Sequence, residues 1–439
     1  MNRFKTSSEN YYSPDKTSQK IDIKEFRLPN GLQCFLYKDN FNPIINLSIG
    51  YMVGSKDEMP DKKGLAHFFE HMMFQGSKNV KKEMHFKFIQ EAGGTLNAST
   101  SFDRTNYFEK LPSNDLELGL WLESDRMGYF LDALDQIKLD NQRSVVLNER
   151  LERYDNQPYG LAWEKLLSNI YPENHPYHWP TIGYSSDIKS YSLADVKNFF
   201  LKYYSPSNAT LVLAGNFEFD EARFLIDKYF GEIENTSNSN NFNPIINFDG
   251  HMKLVSYEDK VNLERIYIAW PTVQAFSKDD SSLDILSDIL TGSKNARLKS
   301  KLVYDLQLVQ DVNSMQFSGK YGGHFMIVAT AKPGNTLDKI KKVIFDEISL
   351  LSKQMILEKE LIRSKSSIKS NFIYSLQNID TVADMLNLYN FYLGEPNSFN
   401  FDLDRYNVVS EMKIQKVVEK YLLNNYVELR IAPEKKNAV

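Results

Sequence analysis

Apolar and polar positions along the chain fall into short alternating runs and longer helical arcs, and the order of these runs occurs twice. Residues 22–52 alternate in the strand manner, with Asn30-Gly31 as a turn between two runs and PIINLSIGYMVGS as a third strand. A helix is expected over about 62–74 and a second over 81–92, ended by Gly93-Gly94. TLNASTSFDRTNYFEKLP reads as two short strands around Phe102-Asp103-Arg104. Helices follow at about 114–131, 138–153, 159–170 and 192–203, then the apolar strand ATLVLAGNF and a helix at 218–231. Residues 233–249 are rich in Asn and Ser and lack periodicity, which marks a linker. The pattern then restarts: strand RIYIAWP, helix DSSLDILSDILTG, strands VNSMQFSG and HFMIVATAKPG, helices from about 336 and a last strand VELRIAP. Residues 1–21 read as a polar arm.

The repetition can be pinned to residues. Gly76-Ser77-Lys78-Asn79 recurs as Gly292-Ser293-Lys294-Asn295, at an offset of 216 residues, each time after an apolar helix that follows an apolar strand. On that register His67, Glu70 and His71 face Leu283, Leu286 and Ser287. An internal duplication is expected, with polar chemistry kept only in the first half. A chain of 439 residues suits two domains of about 200 residues each, placed at 22–232 and 250–439.

Composition narrows the function classes. Hydrophobic residues at 42% and charged residues at 25% are ordinary globular values. A net charge of −5 and the lack of a long basic run give no reason to expect nucleic-acid binding. No stretch of about 18 apolar residues is present to span a membrane. The first twenty residues hold no apolar run suited to a signal peptide, so a cytoplasmic location is expected, with the periplasm as the alternative if the chain has been trimmed. Cys34 is the only cysteine, which excludes an intrachain disulfide and a cysteine-ligated zinc; it is expected half-buried on a strand.

The candidate chemistry lies in residues 64–76, GLAHFFEHMMFQG. At about 100° per residue, Leu65, Phe68, Phe69, Met72 and Met73 form an apolar arc, while His67, Glu70 and His71 share the opposite face. Two imidazoles at i and i+4 suit two ligands of one zinc ion, and the carboxylate between them suits a general base toward water. An amphipathic helix with two chance histidines is the plainer reading. Against it, two of only seven histidines share one turn with a glutamate on a helix otherwise apolar. A catalytic zinc needs a third protein ligand. Pattern alone leaves Glu149, Glu152, Glu109 and His85 open, with 138–153 the best segment.

The order H-x-x-E-H resembles the inverted zincins of the pitrilysin and insulinase type, in particular the short-chain branch that includes mitochondrial processing peptidase and paired bacterial peptidases. The likeness extends to GGTLNASTSFDRTNYF, DNQPYG, HPYHWPTIG, YYSPSNATLVLAGNF, GSKNARLKSKLVYDLQ and FMIVATAKPG. It implies an α+β fold of two related domains, each a mixed, mostly antiparallel sheet packed with helices, forming a half-chamber. It implies one Zn2+ held by His67, His71 and Glu149, the last of these 78 positions after His71 in the V-x-L-x-E context of VVLNER. Glu70 would be the general base. Many relatives carry a further glutamate seven positions before the ligand glutamate, where this chain has Gln142.

The same resemblance places an extended peptide substrate along the strand TLNAST, at Asn97 and Ala98. Read without it, that segment is an ordinary edge strand. His175, His178 and Trp179 read as a structural loop, and His251 and His324 receive no role. Self-sufficient relatives carry an arginine and a tyrosine seven positions apart in the second half. The matching positions here are Val303 and Gln310, with Arg297 and Tyr304 out of step. That departure implies a heterodimer whose metal-free partner supplies the pair, with a homodimer as the alternative. The expected activity is a zinc-dependent endopeptidase acting on extended or unfolded peptides. A non-catalytic peptide-binding or structural subunit is the second reading, and a zinc-storage protein, which needs no Glu70, the third.

Overall fold

The computed structural model describes residues 21–236 and 252–435. The first half runs β1 (Ile23–Arg27), β2 (Gln33–Lys38), β3 (Ile44–Tyr51), α1 (Leu65–Met72), α2 (Met84–Glu91), β4 (Thr95–Thr100) and β5 (Thr105–Pro112). It continues α3 (Leu116–Tyr129), α4 (Gln136–Arg150), α5 (Ala162–Ile170), α6 (Ser185–Ser190), α7 (Leu193–Tyr203), β6 (Ala209–Gly215) and α8 (Phe219–Phe230). The second half opens β7 (Lys253–Asp259), β8 (Arg265–Thr272), α9 (Asp280–Ser287), β9 (Val309–Gly319) and β10 (Gly322–Ala331). Five helices follow, α10 (Leu337–Lys353), α11 (Glu358–Ser375), α12 (Ile379–Leu393), α13 (Phe399–Asn407) and α14 (Glu411–Val417), then β11 (Val427–Pro433).

Two sheets result, with orders β1-β2-β6-β3-β5-β4 and β7-β11-β8-β10-β9. Leaving β1 aside, the two are wired alike. β2 and β6 pair in parallel, as do β7 and β11, and every other pairing is antiparallel in both sheets. α1 and α9 occupy the same place in the two orders, which is the duplication read from the Gly-Ser-Lys-Asn repeat.

The halves exchange helices. Along β2, β3 and β6, one face carries Cys34, Leu36, Ile45, Leu47, Ile49, Leu211 and Leu213 into the core beneath α1. The opposite face carries Phe35, Val212 and Ala214 against Val382, Ala383 and Leu386 of α12, a helix of the second half. In return, Leu166, Leu167 and Ile170 of α5 pack on Tyr267, Ala269, Leu429 and Ile431 of the second sheet. Polar pairs fix the register of α12: Asn46 donates to Asp380 (2.9 Å), Asn387 to Ser48 (3.0 Å) and Asn390 to Thr210 (3.0 Å). Gly50 lies under this helix, where an added Cβ would stand 3.0 Å from the Asn387 amide.

Several expectations need correction. Cys34 is fully buried, because β2 is covered on both faces and not on one. The helix expected over 138–153 is α-helical only to Arg150 and continues as a π-helical turn, Leu151–Asp155. β7 and α6 carry no strong period and were not expected: β7 alternates between exposed and half-buried positions, and α6 spans six residues. Residues 233–236 are irregular; the rest of the linker and all but the last residue of the 1–21 arm lie outside the described residues.

Candidate active site

The site is built on α1. Leu65, Ala66, Phe68, Phe69 and Met72 are buried, so the helix is held by one face, and Phe69 alone meets the rings of Phe130, Phe199 and Tyr204. Its first turn is capped from a distance. The Glu58 carboxylate accepts from the backbone N–H of Gly64 (2.7 Å) and of Ala66 (2.8 Å) and from Trp179 Nε1 (2.8 Å). An anion at a helix N-terminus meets unpaired N–H groups and the positive end of the helix dipole. Burial nevertheless pushes the Glu58 carboxyl up to about 8, against the pull of those three donors. Gly64 has φ 96°, and a Cβ there would stand 2.4 Å from the Ile182 carbonyl oxygen. Only glycine lets the 182–183 turn pack this closely on the helix start.

The polar face of α1 meets α4. His67 Nε2 and His71 Nε2 lie 3.8 Å and 3.2 Å from Glu149 Oε2. The two imidazole centroids are 4.8 Å apart, and all three candidate ligand atoms lie within 4.8 Å of one another. Bonds of about 2.0–2.1 Å to a tetrahedral zinc would place ligand atoms roughly 3.4 Å apart. The two measured separations bracket that value. Glu149 Oε2 is buried, and among the described residues the two imidazoles are the groups it faces. Two imidazoles and a carboxylate are the donor set zinc takes in hydrolytic sites, so these residues fit the metal.

Electrostatics agree with that donor set. Burial, with His71 beside it, lowers the His67 imidazole to about 4, which leaves a neutral ring with a free lone pair at neutral pH. The His71 imidazole beside Glu149 holds its carboxyl below the ordinary glutamate range, against the effect of burial. Its second oxygen, Oε1, is 2.9 Å from Arg153. Glu70 is on the same face as the imidazoles and accepts a hydrogen bond from the Thr100 hydroxyl. Burial raises its carboxyl, while the Thr100 hydrogen bond and His71 pull it back.

Of the ligands left open by sequence pattern, the structure brings Glu149 to the imidazoles. Glu152 is exposed. His85 and Glu109 belong to a separate buried cluster, where His85 meets Glu109 and Arg126 meets Glu123. Arg126 already supplies the counter-charge there. Gln142 is buried on α4. Asn97 and Ala98 lie on β4, the last strand of its sheet, and among the described residues they pair on one side only, with Phe108 and Tyr107. Asn97 is exposed and Ala98 half-buried.

Sequence reasoning missed three residues of this site. Thr100 shares a face with Ala98 by the period of two along β4, and that spacing was the available signal. Glu58 and Arg153 had none beyond their charge. The His175–Trp179 loop is structural, as expected: His178 Nδ1 meets the Tyr171 carbonyl at 2.8 Å, and His175 Nδ1 accepts from the Tyr177 N–H at 2.9 Å. Trp179, through Glu58, also braces the helix that carries the imidazoles.

A duplicated two-sheet α+β protein with a His-His-Glu donor trio in its first half is the class that fold and site define. Comparison with known proteins gives the family. Residues 35–182 match the family described as Insulinase (Peptidase family M16), and residues 190–368 match the Peptidase M16 inactive domain. The chain is 32% identical to "Zinc protease PqqE" of Helicobacter pylori over 362 residues, 82% of this chain and 81% of that one. It is 30% identical to the beta subunit of the mitochondrial-processing peptidase of Blastocladiella emersonii over 216 residues, 49% of this chain and 46% of that one. A crystal structure of a protease from Helicobacter pylori superposes with a TM-score of 0.88 at 28% identity, covering 94% of this chain and all of the other. The chain belongs to peptidase family M16.

Proposed function

We propose that the protein is a zinc-dependent endopeptidase that hydrolyses extended or unfolded peptides. One observation carries the reading: Glu149 Oε2 faces His67 and His71, while Glu70, on the same helical face, lies outside that trio and is hydrogen-bonded to Thr100. His67, His71 and Glu149 hold the metal, which when bound polarises the scissile carbonyl and acidifies water. Glu70 takes the proton from the attacking water and passes it to the leaving amine nitrogen. Thr100 orients Glu70 for both transfers. Asn97 and Ala98, on the open edge of β4, offer backbone groups to an extended chain, which selects for unfolded peptides and not for a side-chain sequence.

The substrate grip is shared with a partner in this reading. Val303 stands in a π-helical turn and Gln310 on β9, where a substrate-binding arginine and tyrosine would be required. Arg297, six positions before Val303 in the chain, is held by Glu347 (2.9 Å) and Glu360 (2.8 and 2.7 Å). A related chain with that pair would complete a chamber, and the beta-subunit relative suits the catalytic half of such an assembly. Removal and return of metal test the zinc reading. A chelator abolishes peptide cleavage and stoichiometric zinc restores it, whereas Glu149→Gln keeps the fold but binds zinc at least tenfold more weakly. Cleavage that survives complete metal removal would refute it.

A further inference from the structure

Glu149 presents its two oxygens to different partners. Oε2 faces the imidazoles at 3.2 Å and 3.8 Å, and Oε1 lies 2.9 Å from the Arg153 guanidinium. Arg153 stands four residues on, in the π-helical turn Leu151–Asp155 that continues α4. π-helical turns are rare and frequently stand at functional sites. The other arginine nearby, Arg150, is buried and turned away, paired with Glu164 at 2.7 Å. Gln142 carries no charge. Among the described residues, Arg153 is therefore the arginine or lysine that meets Glu149.

Carboxylates ligate metals through one oxygen or through both. A zinc with two imidazoles, a one-oxygen carboxylate and a water is four-coordinate; a carboxylate that chelates beside that water makes the metal five-coordinate. The charge-assisted contact from Arg153 occupies Oε1, which leaves Oε2 alone for ligation. We infer that Arg153 is a positioning residue that restricts Glu149 to ligation through Oε2 and so keeps the metal, with its water, four-coordinate. The inference rests on the zinc reading above and adds a device to it. Because Arg153 is 73% exposed, its removal costs little packing, and the metal-free fold is expected to survive.

The test uses cobalt in place of zinc, in the full chain, with wild type, Arg153→Ala and Arg153→Lys. Four-coordinate cobalt(II) absorbs strongly in the visible and five-coordinate cobalt weakly. The wild type is expected to give the strong bands, Arg153→Ala to lose most of that absorption per bound cobalt, and Arg153→Lys to recover it. Melting temperatures of the three metal-free proteins are expected to agree. Identical spectra for wild type and Arg153→Ala would overturn the role of Arg153 while leaving the metal site intact. A wild type that takes up no metal would overturn the zinc reading, and this inference with it.

Discussion

Thr100 and Glu70 share a hydrogen bond that decides where the carboxylate points. A hydrogen bond to a charged group is worth about 1.5–3 kcal/mol, so Thr100→Val is expected to lower kcat roughly tenfold to a hundredfold. Zinc content and KM should stay unchanged, which steady-state kinetics on metal-counted protein would check. At this scale legibility followed periodicity. His67, Glu70 and His71 could be read because the 3.6-residue helical period puts them on one face. Glu149 could not be chosen from pattern: its partner lies 78 positions away, and only the likeness of VVLNER to a family context selected it. Glu58 reaches α1 by folding back through a loop, and no local period encodes that.

Helix α1 starts where it does because two constraints meet. Glu58 satisfies the N–H groups of Gly64 and Ala66, and Gly64 takes a left-handed conformation against Ile182. Gly64→Ala combines a strained φ with a backbone clash and is expected to destabilise the fold by about 2–4 kcal/mol in denaturant titration. Glu58→Ala leaves two backbone donors and Trp179 Nε1 unpaired and is expected to cost about 1–3 kcal/mol. Elements with a buried stripe, such as α1, were legible from sequence to within a few residues. β7 was not, since it alternates only between exposed and half-buried positions and shows no apolar run. The π-helical turn after Arg150 was not legible either: Arg150, at its start, is held by Glu164 from α5, a contact that residue propensity does not encode.

For the whole molecule, the contact between halves carries a pH dependence. His324 on β10 is fully buried, with Nδ1 against the Tyr171 hydroxyl (2.9 Å) and its ring stacked on Phe317. Burial lowers its imidazole to about 3, and burial lowers His175, across the same contact, to about 4. The unfolded chain takes up these protons near pH 6.5, whereas the folded one resists until well below pH 5. Stability is thus complete above about 6.5 and lost as pH falls, at roughly 1.4 kcal/mol per pH unit for each imidazole. His324→Gln is expected to remove one proton's worth of that slope between pH 6.5 and 4, read from chemical denaturation at several pH values. An unchanged slope would contradict it. The duplication was legible from four residues because both halves keep strand, helix and Gly-Ser-Lys-Asn in one order. The exchange of α5 and α12 was not, because amphipathic helices do not name the sheet they cover.

The central claim is that Glu70 does chemistry at a metal it does not hold. Zinc content and single-turnover cleavage of an unstructured peptide, measured on the same samples of wild type and Glu70→Gln with whatever partner activity requires, test it most directly. The account predicts equal zinc in both and cleavage slowed by about 10²–10⁴ in the variant. Zinc lost along with cleavage, or cleavage unchanged, would contradict it.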